Sequence, residues 1–240
     1  VLARKEHVPA RIARGELEGK MKVRIWRKLH KEEAARFDLA YALMEKHPNL
    51  PLAEAFGCVQ SGMPIEEFLL RRARVKKKEE VKVARTAVSG EAIDGFIGTF
   101  IAEKEALALV LAERTLLDAI VEAQPVSFML DKAGRLEKLQ VVTLAKKAVW
   151  EKWLSQLERE PKLAQKPMQV ARQPARRPVS DPRPFVEHLN KPVKLVLRNG
   201  LTLTFPLRAV GPFDLLCGPS DDEIFFVPLH AVVEWSPAGS

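Results

Sequence analysis

The most constraining stretch of this sequence lies near its C-terminal end, where two alternating apolar runs flank an Asn-Gly pair. Val193, Leu195 and Leu197 alternate with Lys194, Val196 and Arg198; Asn199-Gly200 follows, and Leu201, Leu203, Phe205 and Leu207 alternate on the return. A period of two places one set of side chains on one face of a strand, and Asn-Gly supplies the two positive-φ positions of a tight turn. A β-hairpin with one apolar face is expected. Residues 213–217 (FDLLC), 223–228 (EIFFVP) and 230–235 (HAVVEW) supply three more short strands, with residues 218–222 (GPSDD) as a turn. Five short strands between residues 184 and 237 suit a small closed barrel.

Upstream, the pattern changes to helical. Residues 20–46 place Val23, Trp26, Leu29, Ala34, Phe37, Ala40, Leu43 and Met44 at three- and four-residue spacings, and His47-Pro48-Asn49 ends that run. Residues 51–78 read as a short helix, a Ser61-Gly62 turn and a second helix with Pro64, Glu66 and Glu67 at its start. Ser89-Gly90-Glu91 opens a long helix expected to reach about Glu122. Residues 126–144 read either as a hairpin around Lys132-Ala133-Gly134 or as one helix from Leu136, followed by helical residues 146–159. Residues 160–184 hold six prolines and six basic residues with almost no apolar periodicity, so they are expected to be an extended linker. The segments PVSFMLDKAGRL and PVKLVLRNGL begin alike, which hints at an internal repeat.

The expected fold class is thus a multidomain α+β protein, a helix-rich N-terminal body plus a small five-stranded barrel. Its divisions are a basic tail (1–19), a helical domain (20–159) with an optional hairpin near 126–144, a Pro/Arg-rich linker (160–183) and the barrel (184–237). The chain carries 39 basic against 31 acidic residues, a net charge of +8. Residues 1–90 contribute +8, residues 91–160 −3, residues 161–183 +5 and residues 184–240 −2. Positive charge is therefore concentrated in the N-terminal part and the linker, which favours a polyanionic partner. No apolar run approaches the roughly 18 residues of a membrane span, and residues 1–20 are too charged for a signal peptide, so a cytoplasmic protein without a membrane partner is expected. Cys58 and Cys217 stand alone and read as buried thiols.

The order Pro184-Phe185, V-x-L-x-L-x-N-G, Phe213-Asp214 and His230-Ala231-Val232 resembles the two sequence motifs of Sm/Hfq-like proteins, over about residues 182–237. The resemblance implies a small β-barrel, single-stranded RNA as ligand and a homo-oligomer formed through strand edges. By motif position, Asp214 matches the motif aspartate and His230 the histidine beside the pore. Pro228 and Leu229 stand where the family pattern has a Tyr-Lys pair, and Leu215 and Leu216 replace its polar and aromatic residues.

The candidate RNA-binding residues are accordingly Arg71, Arg72, Arg74, Lys76, Lys77 and Lys78 of the basic run, Arg176 and Arg177 of the linker, and Arg198 and His230 of the barrel. Asn199, Gly200 and Asp214 are structural motif positions. No P-loop, G-x-S-x-G or H-E-x-x-H motif occurs and the five histidines do not cluster with Cys or carboxylates. The expectation is a non-catalytic RNA-binding regulator without cofactor or metal. Two further readings are an adaptor that docks a protein through the barrel, and a DNA-binding transcriptional regulator using the N-terminal helices.

Overall fold

The computed structural model describes residues 1–171, 173, 177 and 179–238. The chain divides into two compact units, Val1–Lys76 and Lys77–Ser240. The first holds α1 (Leu2–Lys5), α2 (Ala10–Leu17), α3 (Val23–Leu29), α4 (Lys31–Lys46), α5 (Leu52–Ser61) and the start of α6 (Ile65–Thr86). Val8, Ile12, Val23, Trp26 and Ala34 bury one apolar cluster; Ala40, Leu50 and Ala55 form a second, between α4 and α5. Gly62, at φ +68°, ends α5 in the left-handed conformation that glycine adopts without penalty.

The second unit contains the remainder of α6, α7 (Glu91–Glu103) and then β1 (Leu107–Val110), β2 (Thr115–Asp118), β3 (Ile120–Ala123), β4 (Ser127–Leu130), β5 (Gly134–Glu137) and β6 (Thr143–Lys146). These are followed by α8 (Lys147–Trp153), β7 (Glu158–Arg159), α9 (Pro161–Gln165), α10 (Arg183–Val186), β8 (Pro192–Leu197), β9 (Leu201–Val210), β10 (Asp214–Cys217), β11 (Phe225–Pro228) and β12 (Val232–Pro237). One antiparallel sheet runs β12-β8-β9-β10-β11-β6-β1-β2, with β7 paired to β9, and β3-β4-β5 form a second sheet.

The structure differs from the expected fold in two respects. The helix-rich body is not helical to residue 159: α7 stops at Glu103, Lys104 adopts φ +49°, and β1 begins at Leu107. Nor is there a separate five-stranded barrel. The five C-terminal strands form, but β11 pairs with β6, matching Phe225 to Ala145 and Phe226 to Leu144, instead of closing on β12. The sheet is open and joined to the preceding strands.

Burial explains both differences. Leu107 and Leu109 of β1, Leu144 of β6, Leu216 of β10 and Phe226 of β11 enter one core, beneath Ile93, Ile97 and Phe100 of α7. Their neighbours Ala108, Val110, Ala145, Cys217 and Phe225 enter another, with Trp150, Phe185 and the inner faces of β8 and β9. Strands covered on both faces read as continuous apolar runs, so a period of two is invisible. The hairpin alternative for residues 126–144 is the one that forms: Ser127 pairs with Glu137 and Leu130 with Gly134. Its turn is held by buried Asp118, whose carboxylate accepts the backbone N–H groups of Lys132 and Ala133. Those donors, with that of Ala119, keep the Asp118 carboxyl below its usual range although burial opposes them.

The unit repeats one topology. In the first copy β6 pairs β1, β1 pairs β2, β3 pairs β4 and β4 pairs β5; in the second β12 pairs β8, β8 pairs β9, β9 pairs β10 and β10 pairs β11. The two halves of the long β9 correspond to β2 and β3. A 3-10 turn precedes the last strand in each, at Lys138–Gln140 and Leu229–Ala231. From β5 onward the copies are offset by a constant 91 residues, Gly134 onto Phe225 and Lys138 onto Leu229. The repeat hinted at by the two Pro-Val segments has a different register, since the first enters β4 and the second β8.

Candidate nucleic-acid interface

The loop between β8 and β9 has three residues, Arg198, Asn199 and Gly200. The Gly200 N–H donates to the Leu197 carbonyl at 2.8 Å, and only Gly200 has positive φ, at +84°, so Asn199 does not take the left-handed conformation expected of it. This is a turn closed by a left-handed glycine, one residue longer than the two-residue loop an Asn-Gly pair suggests. Asn199 Oδ1 instead accepts the Leu201 N–H at 3.2 Å. The extra residue places Arg198 in the loop.

Arg198 is only 3% exposed. Its Nη2 donates to the carbonyls of Leu139 at 3.0 Å and Gln140 at 2.6 Å, and Nη1 to that of Met168 at 3.4 Å. Its backbone N–H meets the Ala231 carbonyl and its own carbonyl accepts the Met168 N–H, both at 2.8 Å. This one residue therefore ties three segments together, the first 3-10 turn and the segment after α9 through its side chain and the second 3-10 turn through its backbone N–H. Burial pushes its guanidinium below its ordinary value, and Nε has no hydrogen-bond partner among the described residues. His230 lies in the second 3-10 turn. Burial and the charges of Arg198 and Arg177 hold its imidazole at about 4, against the carbonyls of Val141 and Leu139, and its Nε2 is also buried without a partner among the described residues.

Beside this cluster opens a hollow of about 850 Å³, walled by Arg114, Arg177, Arg198, Gln140, Gln169 and Glu137. Arg114 sits in the β1–β2 loop, the counterpart of the loop that carries Arg198. Gln169 reaches Glu113 across the rim at 3.4 Å, and Arg177 Nε donates to the Ala171 carbonyl at 3.0 Å. The hollow thus offers guanidinium groups and side-chain amides, donors and acceptors suited to phosphates and base edges.

The structure brings Arg177, Arg198 and His230 together, with Asn199 and Gly200 forming the loop beneath. Arg71, Arg72, Arg74, Lys76, Lys77 and Lys78 follow one another along α6. At helical spacing they encircle the helix, with Arg71, Arg74 and Lys78 nearest one another. Arg72 meets Glu54 at 3.6 Å. Arg176 lies outside the described residues. Asp214 opens β10, where burial, with Asp94 adding to it, pushes its carboxyl up to about 6 despite Lys138. Arg114, Gln140 and Gln169 escape a reading of the sequence. Arg114 lies in a run that reads as helix, and two lone glutamines carry no motif.

No protein-family model, curated protein or solved structure matches this chain. Among the described residues no group of three or more His, Cys, Asp or Glu is placed to hold a metal ion, and no helix is long and apolar enough to cross a membrane.

Proposed function

We propose that this chain is a non-catalytic RNA-binding regulator that takes a single-stranded segment into the hollow between the two topological repeats. The carrying observation is the convergence there of Arg114 and Arg177 with the amides of Gln140 and Gln169, over the buried Arg198 that holds the wall together. A hollow of about 850 Å³ has room for a nucleotide, whose phosphate accepts from guanidinium and whose base edge needs mixed donors and acceptors. The cations of α6 add sequence-independent affinity and cover more phosphates than the hollow alone.

The test is fluorescence anisotropy of labelled single-stranded RNA across a salt series. Log affinity should fall linearly with log salt. Replacing Arg71, Arg74 and Lys78 by Gln should flatten the slope by about 2, at about 0.7 per phosphate contact on a single strand. Arg114→Gln should weaken binding and change the preference between homopolymers. No RNA shift, or an affinity indifferent to salt, refutes the reading. An equal shift by duplex DNA would favour the DNA-binding alternative.

A further inference from the structure

The outer face of α3 carries aliphatic side chains where a surface helix ordinarily carries polar ones. Val23 and Trp26 turn inward and pack with Ile12 of α2 and Ala34 of α4. Ile25 and Leu29, four residues apart and so on one side of the helix, point outward, 53% and 72% exposed. The turn before α3 adds two more. Leu17, the last residue of α2, is 78% exposed and Met21 is 42% exposed. Gly19 makes that turn at φ +71°, and the Met21 N–H donates to the Gly15 carbonyl at 3.2 Å, which holds Met21 beside the end of α2.

The same stretch is densely cationic. Residues 17–31 hold six Lys and Arg against a single acid, Glu18. Lys20 pairs with Glu18 at 2.8 Å and Arg27 with Asp38 at 2.6 Å. Lys22, Arg24, Lys28 and Lys31 are all exposed. Arg24 and Lys28, again four apart, run beside the line of Ile25 and Leu29.

A partner for this face has to take both sets of groups. A nucleic acid would engage the cations and leave the aliphatic tips in water; bases stack on rings, and the ring of this helix, Trp26, is buried. A partner helix needs a groove with an apolar floor, whereas Ile25 and Leu29 project. An anionic lipid surface satisfies both: its headgroups meet the ammonium and guanidinium groups, and the aliphatic tips enter the boundary between headgroups and acyl chains. We propose that the N-terminal unit docks on such a surface through α3 and the turn before it, with Ile25 and Leu29 inserted and Lys22, Arg24, Lys28 and Lys31 among the headgroups. The contact is peripheral and needs no membrane-spanning helix. It goes beyond the RNA-binding reading and is independent of it, since the residues that wall the RNA hollow all belong to the other unit.

The experiment is co-sedimentation of the nuclease-treated full chain with vesicles of mixed phosphatidylglycerol and phosphatidylcholine, and with phosphatidylcholine alone, at low and at high salt. Wild type should pellet with the anionic vesicles, less so as salt rises, and stay in solution with the zwitterionic ones. Ile25→Ser combined with Leu29→Ser should weaken partitioning about tenfold. Lys22→Gln, Arg24→Gln and Lys28→Gln together should weaken it about a hundredfold, at about fivefold per cation. All five positions are exposed, so thermal melts of both variants should match wild type, and the serine pair should keep the wild-type affinity for RNA. Wild type that ignores anionic vesicles overturns the proposal, as does equal binding to the zwitterionic ones. A serine pair that partitions like wild type also overturns it, as does one that loses as much affinity for RNA as for vesicles.

Discussion

Asp214→Asn should stabilise the β unit, and by an amount that depends on pH in a defined direction. Burial raises the Asp214 carboxyl from 3.8 to about 6. Between these values the folded chain holds a proton that the unfolded chain has released. Stability contributed by this group is therefore greatest at low pH and falls as pH rises through the window, levelling off above the folded value. The full loss is about 3 kcal/mol, since each pH unit between the unfolded and folded values contributes about 1.36 kcal/mol. Integrated to pH 4.5 the loss is about 1 kcal/mol, and at pH 7.5 about 3 kcal/mol. Asparagine has the shape of the protonated acid and never ionises, so the variant should gain about 2 kcal/mol more at pH 7.5 than at pH 4.5. Urea unfolding followed by tryptophan fluorescence suits the measurement, since Trp150, Trp153 and Trp235 all lie in this unit. A gain that is the same at both pH values, or a variant less stable than wild type at pH 7.5, refutes the assignment.

His230 titrates in the opposite sense: its folded value of about 4 lies below the ordinary 6.5, so the stability it contributes is present above pH 6.5 and is lost as pH falls toward 4. Wild-type stability should thus be nearly flat between pH 4 and 6, and His230→Asn should expose a decline with rising pH in the same urea titrations. Gly200→Ala should cost about 2 kcal/mol or more in thermal melts, because its Cβ would lie 2.7 Å from the Glu160 carbonyl and 2.8 Å from the Ala164 nitrogen, at φ +84°. A melt unchanged by that substitution would mean that the α9 segment does not lie against this loop. Phe226→Ala should cost about 3–5 kcal/mol by emptying the core beneath α7, measured as a lowered urea midpoint. If it costs no more than an exposed-site substitution, the two repeats do not share that core.

The β8–β9 hairpin is legible in the sequence because one face of it is apolar and the other mixed, and its strands form where the alternation places them. The strands that escape such a reading share a different burial. Leu107, Ala108, Leu109 and Val110 are all buried, the odd pair toward α7 and the even pair toward the C-terminal core. Their Ala-Leu-Glu-rich surroundings also suit a helix, so composition and periodicity both point the wrong way. The functional candidates divide similarly. Arg198 and His230 are candidates in the sequence, His230 by its motif position, yet Arg198 spends its Nη groups on carbonyls. Its partners at the hollow come from the β1–β2 loop and the segment after α9, whose arrival depends on strand pairing that no local pattern encodes.

Strand edges are the part of a β-fold that sequence periodicity does not reach. Alternation reports which face of a strand is wet, and it says nothing about what lies beside the strand in the sheet. The five C-terminal strands are consistent with closure on themselves, and they remain open because β11 finds β6. The sequence does mark that choice, in the consecutive aromatics Phe225 and Phe226. Phe225 turns inward and stacks on Phe205 with ring centroids 5.5 Å apart, while Phe226 turns outward into the neighbouring core. An outward aromatic on a short strand of a free-standing barrel would be exposed at its surface, whereas here it is 2% exposed. A pair of adjacent large apolar residues in a strand is thus a signal for a second core. By the same reasoning Gly134 and Arg135, at the equivalent positions of the other repeat, mark an edge with no core waiting inside the chain.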